Sequence, residues 1–436
     1  MDIYNGVSFA GIFVLAGFAW LCSSNKRVVN WRVIFWGIIL QLLFAVFIFV
    51  VPAGTQFFLV VNRIVVVVLD SATAGTKFLF GRLALPPGTT NEAGETSLGY
   101  FLAFQALPTI IFFAALVGAL YYLRVMPLLI RGFAFVFTKL MRISGAESLC
   151  ASSNIFVGIE SSLVVKPHLQ EMTRSELATI LSAGMGTIAS TVLALYVFFL
   201  QGELPTIAGH LVSASFLSAP AAVIMAKLIV PETEVPRTLG VSVKPHYERE
   251  DNLIMAITNG AYSGLRLLGG IITLLLAFLG FVALLDLVLG WVGGYLNTWL
   301  GMSFQWSLKS ILGYVFYPFT VVLGVPPADA MEIAKVIGER TVATELVSYQ
   351  KLSQLIAEGK LLHPRSAVIA SYALCGFAHI ASLAIFVGGI GALAPQRMKD
   401  LSRLGFRALL AATLACLMTG AVAGIFVTKG SILLGG

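Results

Sequence analysis

Residues 144–169 read SGAESLCASSNIFVGIESSLVVKPHL, and this stretch decides the fold. It lies among apolar runs long enough to cross a bilayer, yet it cannot cross one itself. It carries Glu147, Asn154, Glu160, Lys166 and His168, and Gly158 divides it into two arms, each too short and too polar to face lipid. Irregular backbone at membrane depth is tolerated only where protein buries it or where it lines a cavity. The stretch therefore reads as a re-entrant helical hairpin. Residues 305–351 have the same character: Pro318, Gly324, Pro326, Pro327 and Gly338 interrupt them, and they carry Glu332, Glu339, Arg340 and Glu345.

The surroundings of both stretches are membrane-like. Of 436 residues, 58% are apolar and 11% charged, against roughly 25% charged in soluble domains; the mean hydropathy is +0.92. Runs such as 33–51, 101–123, 177–200 and 408–427 each reach the ~20 residues that a ~30 Å hydrocarbon core requires. The run 7–22 follows Asp2 rather than a basic flank and precedes Asn25, Lys26 and Arg27, so it reads as a retained span and not a signal peptide. Cys22, Cys150, Cys375 and Cys416 stand singly, with neither metal nor disulfide spacing. The net charge of +7 comes from Lys and Arg flanking spans, which mark topology rather than nucleic-acid binding.

Basic loops orient the chain. Lys26, Arg27 and Arg32 place the first loop inside, and Arg397, Lys399, Arg403 and Arg407 place the last one there. Arg63, Asp70 and Lys77 interrupt the apolar stretch 57–80, and a crossing there would carry Arg124, Arg131, Lys139 and Arg142 outside. It reads instead as an interfacial helix. The fold expected is an all-α integral membrane protein of eight transmembrane helices plus two opposed re-entrant hairpins. The expected spans are 7–22, 33–51, 98–123, 174–200, 206–229, 264–292, 364–392 and 407–427, with both termini on the outer side of a bacterial cytoplasmic membrane. Five segments follow: 1–56, two N-terminal spans; 57–142, interfacial helix, third span and an amphipathic inner-surface helix; 143–230, first hairpin with spans four and five; 231–304, inner loop and sixth span; 305–436, second hairpin with spans seven and eight.

An internal repeat locates a site. Each hairpin precedes a span interrupted by small residues, Gly184-Met185-Gly186-Thr187-Ile188-Ala189-Ser190 in one half and Gly376-Phe377-Ala378-His379-Ile380-Ala381-Ser382 in the other. Ile-Ala-Ser falls at the same place in two halves of opposite topology, as in inverted-repeat transporters that bind solute at the midplane where broken helices meet. Helix ends there leave N–H and C=O groups without partners, and the Thr187 hydroxyl and Asn154 amide add oxygens suited to a hard cation. Glu160 and Glu345 sit near the two hairpin tips. A charged side chain at bilayer depth costs ~2.5–3.5 kcal/mol on insertion scales, so a hydroxyl-rich solute or a coupling ion is expected to offset it. Phe377 and His379 flank the second break, positioned to stack on and hydrogen-bond to a planar ring. Glu339 and Arg340 are expected to pair or reach the surface. No metal-ligand set or nucleophile constellation suggests an enzyme.

The stretch Asn154-Ile155-Phe156-Val157-Gly158 leading to Glu160, with Gly376-Phe377-Ala378 and Gly388-Gly389-Ile390-Gly391-Ala392-Leu393-Ala394-Pro395, resembles the concentrative nucleoside transporters from about residue 98 to the C-terminus. The resemblance implies a homotrimer, a scaffold of interfacial helix and spans three and six, and a transport domain moving as an elevator. It implies that Glu160 and Glu345 hold ribose hydroxyls, that Val192 and Phe377 contact the base, and that Ser382 contacts the ribose. Asn154 and Thr187, with the carbonyls of Val157 and Ile188, match the family's sodium site, with a proton as the alternative coupling ion. Three departures concern the base. Only Ile159 separates Gly158 from Glu160, Thr344 precedes Glu345 where Asn is usual, and His379 replaces Asn. They support nucleosides as a class, leaning toward purines because Ile159 makes that wall more apolar. The alternative solutes are nucleobases, modified nucleosides or another hydroxylated metabolite.

Overall fold

The computed structural model describes residues 2–91, 93–246 and 250–427, without the Ile159 side chain. The apolar runs become helices whose starts are set by local capping. Asp2, Ser144 and Thr173 each accept a backbone N–H from the first turn while the third helical residue reaches back. The α-helices are α1 (Ile3–Leu21), α2 (Trp31–Phe49), α3 (Pro52–Phe80), α4 (Leu102–Gln105), α5 (Thr109–Tyr122), α6 (Val125–Met141), α7 (Gly145–Ser153), α8 (Arg174–Gly186) and α9 (Ser190–Leu200). They continue with α10 (Ile207–Ile229), α11 (Leu253–Leu300), α12 (Leu308–Val322), α13 (Pro327–Val342), α14 (Glu345–Ala357), α15 (Pro364–Ala373), α16 (Ile380–Leu393) and α17 (Met398–Phe426).

Eight helical stretches among the described residues are long and apolar enough to cross a membrane. They differ from the expected eight in two places. The stretch 57–80 lies within one uninterrupted helix, α3, because Arg63, Asp70 and Lys77 recur every seventh residue and share one exposed stripe. The expected crossing 364–392 is instead two short helices, α15 and α16, with an unwound segment between them. The expected span 264–292 extends to the 48 residues of α11, about 72 Å at 1.5 Å per residue, much more than the bilayer needs.

The first hairpin is α7 followed by a 3₁₀ arm, Ile159–Glu171. The second has its tip beside Glu345, as expected, and a further turn where the prolines fall. Gly324 and Pro326 turn α12 into α13, which run antiparallel: a Cβ at Gly338 would meet Leu312 and one at Gly313 would meet Lys335. The tip that matters is the two-residue turn Ala343–Thr344 between α13 and α14.

Two packing bodies emerge. Helices α8, α10 and α17 pack on one another, with α10 buried along almost its whole length. Helix α1 joins them: Asn5 Nδ2 donates to the carbonyls of Gly424, Ile425 and Val427 at 3.2, 2.7 and 3.1 Å, capping α17. By contrast α11 is exposed along most of its length and packs chiefly on α5. Glycines permit that approach; a Cβ on Gly118 would lie 2.5 Å from the Ala256 carbonyl, and one on Gly260 2.6 Å from that of Ala114.

A buried ionic knot closes one end of the first body. Lys227, at the end of α10, meets Glu147 of α7 at 2.5 Å, Glu232 at 3.1 Å and the Ser175 hydroxyl of α8 at 2.9 Å. Glu147 thus stands at the hairpin base. Removing one member leaves a charge buried without its partner, which costs about 3–5 kcal/mol. Lys227→Met is expected to lower the thermal unfolding midpoint in detergent sharply; an unchanged midpoint would mean the pair is hydrated in the working protein.

Candidate functional site

The site forms where two tips meet two breaks. The first arm of hairpin one ends at Asn154, and its tip is tied to the α8–α9 break: Ser190 donates its N–H at 3.3 Å, and its hydroxyl, to the Phe156 carbonyl. The break itself, residues 187–189, is extended at Thr187 and Ala189. In the second half α15 ends at Ala373 and α16 starts at Ile380, with Gly376 at φ +146° between them. That conformation excludes side chains, and so does the space: a Cβ on Gly376 would lie 2.6 Å from Cys416 Sγ and 2.9 Å from the Gly186 carbonyl. The two breaks touch there.

Gly158, Glu160 and Val192 from the first repeat line one cleft with Thr344, Glu345, Phe377, His379 and Ser382 from the second. Eight of the nine expected substrate positions thus converge; the Ile159 side chain lies outside the described residues. The fourth wall, which sequence reasoning missed, is apolar and comes from Leu267, Ile271, Leu274 and Leu275 of α11.

The two carboxylates differ. Glu345 is 2% exposed. Its Oε1 accepts from the Tyr196 hydroxyl at 2.9 Å, and its Oε2 lies 3.0 Å from His379 Nε2. His379 caps α16, its Nδ1 accepting the Ser382 N–H at 3.1 Å. An accepting Nδ1 places the neutral ring's proton on Nε2, which faces Glu345 Oε2 without a well-aligned hydrogen bond. Tyr196 is held in turn by Tyr349, stacked at 4.4 Å, whose hydroxyl donates to the Ser371 carbonyl at 2.7 Å. Glu160 is exposed, and lines both the cleft and a 330 Å³ cavity bounded by Gly118 and Tyr121 of α5, Asn259 and Ser263 of α11, and Lys166.

The remaining polar groups divide similarly. The Ser382 hydroxyl donates to the His379 carbonyl at 2.7 Å and to that of Phe377. The Thr344 hydroxyl is buried in the cleft wall without a hydrogen-bond partner. Arg340, expected to pair or surface, is fully buried: its Nη1 donates to the Ala373 carbonyl at 2.6 Å, capping α15 at the break. His210 is buried inside α10 with Nδ1 3.1 Å from the Tyr372 hydroxyl.

The expected cation donors fall on the touching segments of tip one and break one. Thr187 Oγ donates to the Ala183 carbonyl at 2.8 Å, leaving its lone pairs free, and Asn154 Oδ1 accepts from Ser161 at 2.9 Å. With the buried backbone of Val157 and Ile188 the set is oxygen-only, fitting a hard monovalent cation rather than a transition metal.

Two opposed hairpins whose tips meet two broken helices define an inverted-repeat membrane transporter. Residues 10–83 and 210–424 match the N- and C-terminal parts of the "Na+ dependent nucleoside transporter" family, and 103–203 match "Nucleoside recognition". The nucleoside permease NupC of Helicobacter pylori is 36% identical, aligned over 96% of this chain and 97% of its own. Solute carrier family 28 member 3 of Mus musculus is 38% identical over 97% of this chain, which spans 59% of the mouse protein's length. Among solved structures, CNTnw in an inward-facing substrate-bound state superposes with TM-score 0.84 at 33% identity, covering 97% and 98% of the two chains. A doubly substituted CNTnw in an outward-facing state gives 0.86 at 33%, covering 99% and 100%. The chain belongs to the concentrative, Na⁺-dependent nucleoside transporter family. As expected, these relatives are transporters, not enzymes.

Tyr196→Phe removes a hydrogen bond to a buried carboxylate, typically about 1.5–3 kcal/mol. The variant is expected to unfold at lower temperature and to bind solute more weakly. Wild-type values for both in detergent-purified protein would show that Tyr196 does not hold Glu345.

Proposed function

We propose that the chain is a cation-coupled secondary importer of nucleosides in a bacterial cytoplasmic membrane, with sodium as the coupling ion. The observation that carries this reading is the convergence of Glu160 and Glu345, from opposite repeats, on one cleft beside two helix breaks. Carboxylates accept from sugar hydroxyls, and an apolar wall with Val192 and Phe377 suits the face of a base. The missing polar residue between Gly158 and Glu160 favours purines.

In this reading Asn154, Val157, Thr187 and Ile188 hold sodium, while Glu160, Glu345 and Ser382 hold the ribose and Thr344 and His379 border it. The ion set lies on tip one and break one, whose Ser190–Phe156 contacts join them. An ion bridging those segments and a solute bridging the two tips favour the same closed arrangement, which makes the two bindings thermodynamically linked. The body built on α8, α10 and α17, with both hairpins, is the moving unit. Helix α1 belongs with it through Asn5, and α5 with α11 forms the stationary scaffold. That scaffold trimerises, α3 lies at the interface, and both termini face outward.

Purified protein in proteoliposomes, given labelled adenosine, inosine, guanosine and uridine under inward sodium or proton gradients, tests the assignment. Sodium-driven uptake is expected, purines competing best. Glu160→Gln and Glu345→Gln are each expected to cut kcat/KM at least about tenfold, the loss of ~1.4 kcal/mol in a hydrogen bond to a charged group. Uptake of free bases surviving both substitutions would move the solute to a nucleobase; no gradient-driven uptake of any nucleoside would sink the proposal.

A further inference from the structure

We infer that the 330 Å³ cavity beyond Glu160 is a second nucleoside position, a release-stage subsite in which Asn259 of α11 reads the edge of a 6-aminopurine base. This rests on the reading above for the class of solute; the subsite itself rests on where α11 places its polar residues. The α11 side chains that border solute space include Asn259, Ser263, Leu267, Ile271 and Leu275, steps of four that keep to one stripe of the helix. The stripe changes character partway. Leu267, Ile271 and Leu275 wall the cleft, whereas Asn259 and Ser263 line the cavity. The twelve residues from Asn259 to Ile271 set the two zones ~18 Å apart at 1.5 Å per residue.

Structure alone gives the polar pair no employment. Both side chains are exposed, and among the described residues neither has a hydrogen-bond partner. Other asparagines of this region are committed to the ends of α11: Asn252 caps its start, and Asn297 binds the Phe304 carbonyl and the Trp306 indole past its end. Nor does Asn259 serve packing. The face of α11 that meets α5 is made by Ala256, Gly260 and Gly264, and a Cβ on Gly264 would lie 2.8 Å from Ile111 Cα. That close seat joins α5 and α11 into one wall, so Tyr121 of α5 and the two polar residues of α11 hold fixed places in the cavity that Glu160 also lines.

The size suits a small-molecule site, which typically holds ~300–1,000 Å³, and so does the chemistry. A primary amide carries donors and an acceptor together and pairs bidentately with N6 and N7 of adenine. A 6-oxopurine presents two acceptors on that edge and leaves the amide oxygen unmatched. Glu160, Gly158 and Thr191 line both the cleft and the cavity. A nucleoside released by Glu345 can therefore keep its ribose on Glu160 while its base swings from Val192 and Phe377 to Asn259. The cavity lies toward the start of α11, beside the inner loop: His246 borders it and donates its N–H to the Val164 carbonyl at 2.9 Å. Solute reaches Asn259 on its way inward. The leucine zone excludes polar edges, and the asparagine receives one.

Photolabelling and exchange on the full-length protein decide this. With sodium present, 2-azidoadenosine, whose N6 and N7 edge is unaltered, should mark peptides of the cleft and also a peptide of α5 or α11 that carries Tyr121 or Asn259. Asn259→Leu should lose the second mark and keep the first. With solute supplied inside oriented proteoliposomes, adenosine should half-saturate exchange at about fivefold lower concentration than inosine, the low end for a bidentate asparagine–adenine pair. Asn259→Leu should erase that difference, and Asn259→Gln, which keeps the amide, should retain part of it. Labelling confined to the cleft, or an adenosine preference from inside that survives Asn259→Leu, would overturn the subsite and leave the cavity a water-lined exit only. Labelling at neither place, with no nucleoside transported, would overturn the choice of solute and the subsite with it.

Discussion

A helix that stops inside a bilayer leaves carbonyls and amides with no water to satisfy them, and everything distinctive here follows from doing that four times in one place. Each end is met by a specific neighbour. Ser190 closes on the Phe156 carbonyl, Arg340 on that of Ala373, and His379 on the Ser382 amide. Gly376 lets the two breaks come together because no side chain fits between its backbone and the Gly186 carbonyl. The backbone groups that need partners are thus gathered beside the cleft, so the interruption that complicates folding is also what builds a polar site in an apolar molecule.

The two repeats contribute equivalent carboxylates but hold them differently. Glu345 is cross-linked to both halves, through Tyr196 of α9 and His379 at the start of α16. Opening tip two breaks both contacts in a low-dielectric setting, where losing the Tyr196 hydrogen bond is costly. Glu160 faces solvent-accessible space on two sides. The arrangement is that of a site latched at one tip and accessible past the other. The Glu345 carboxylate is thereby already oriented in the cleft.

Much of this was legible in sequence, and the limits are physical. The hairpins showed because polar residues and helix breakers are conspicuous against lipid-length apolar runs, and the repeat showed because Ile-Ala-Ser recurs with opposite topology. The second tip was legible through Glu345 beside it, although Pro326 and Pro327 signal a turn more strongly and the tip at Ala343–Thr344 carries no breaker. A Tyr in an apolar run looks like any aromatic; only the fold brings the Tyr196 hydroxyl to Glu345. Arg340 looked bound for the surface since nothing nearby in sequence is a buried acceptor, and the one it finds, the Ala373 carbonyl, is 33 residues away. The leucine wall of α11 is invisible for the opposite reason, being indistinguishable from lipid-facing residues.

That wall sets the last requirement. One side of the cleft belongs to α11, which packs chiefly on α5, whereas Glu160, Thr344, Glu345, His379 and Ser382 belong to hairpins and breaks packed on the body of α8, α10 and α17. Contacts across the divide are chiefly apolar side chains such as Leu274 and Leu275 against the cleft, and these lose little when one surface slides past another because dispersion contacts are non-directional. Several directional bonds, by contrast, tie the body together. The Lys227 knot, the Asn5 cap on α17 and the Glu345 clamp each join elements on the same side of the divide. The bonds that make the site are thus kept apart from the apolar contacts that α11 makes with it.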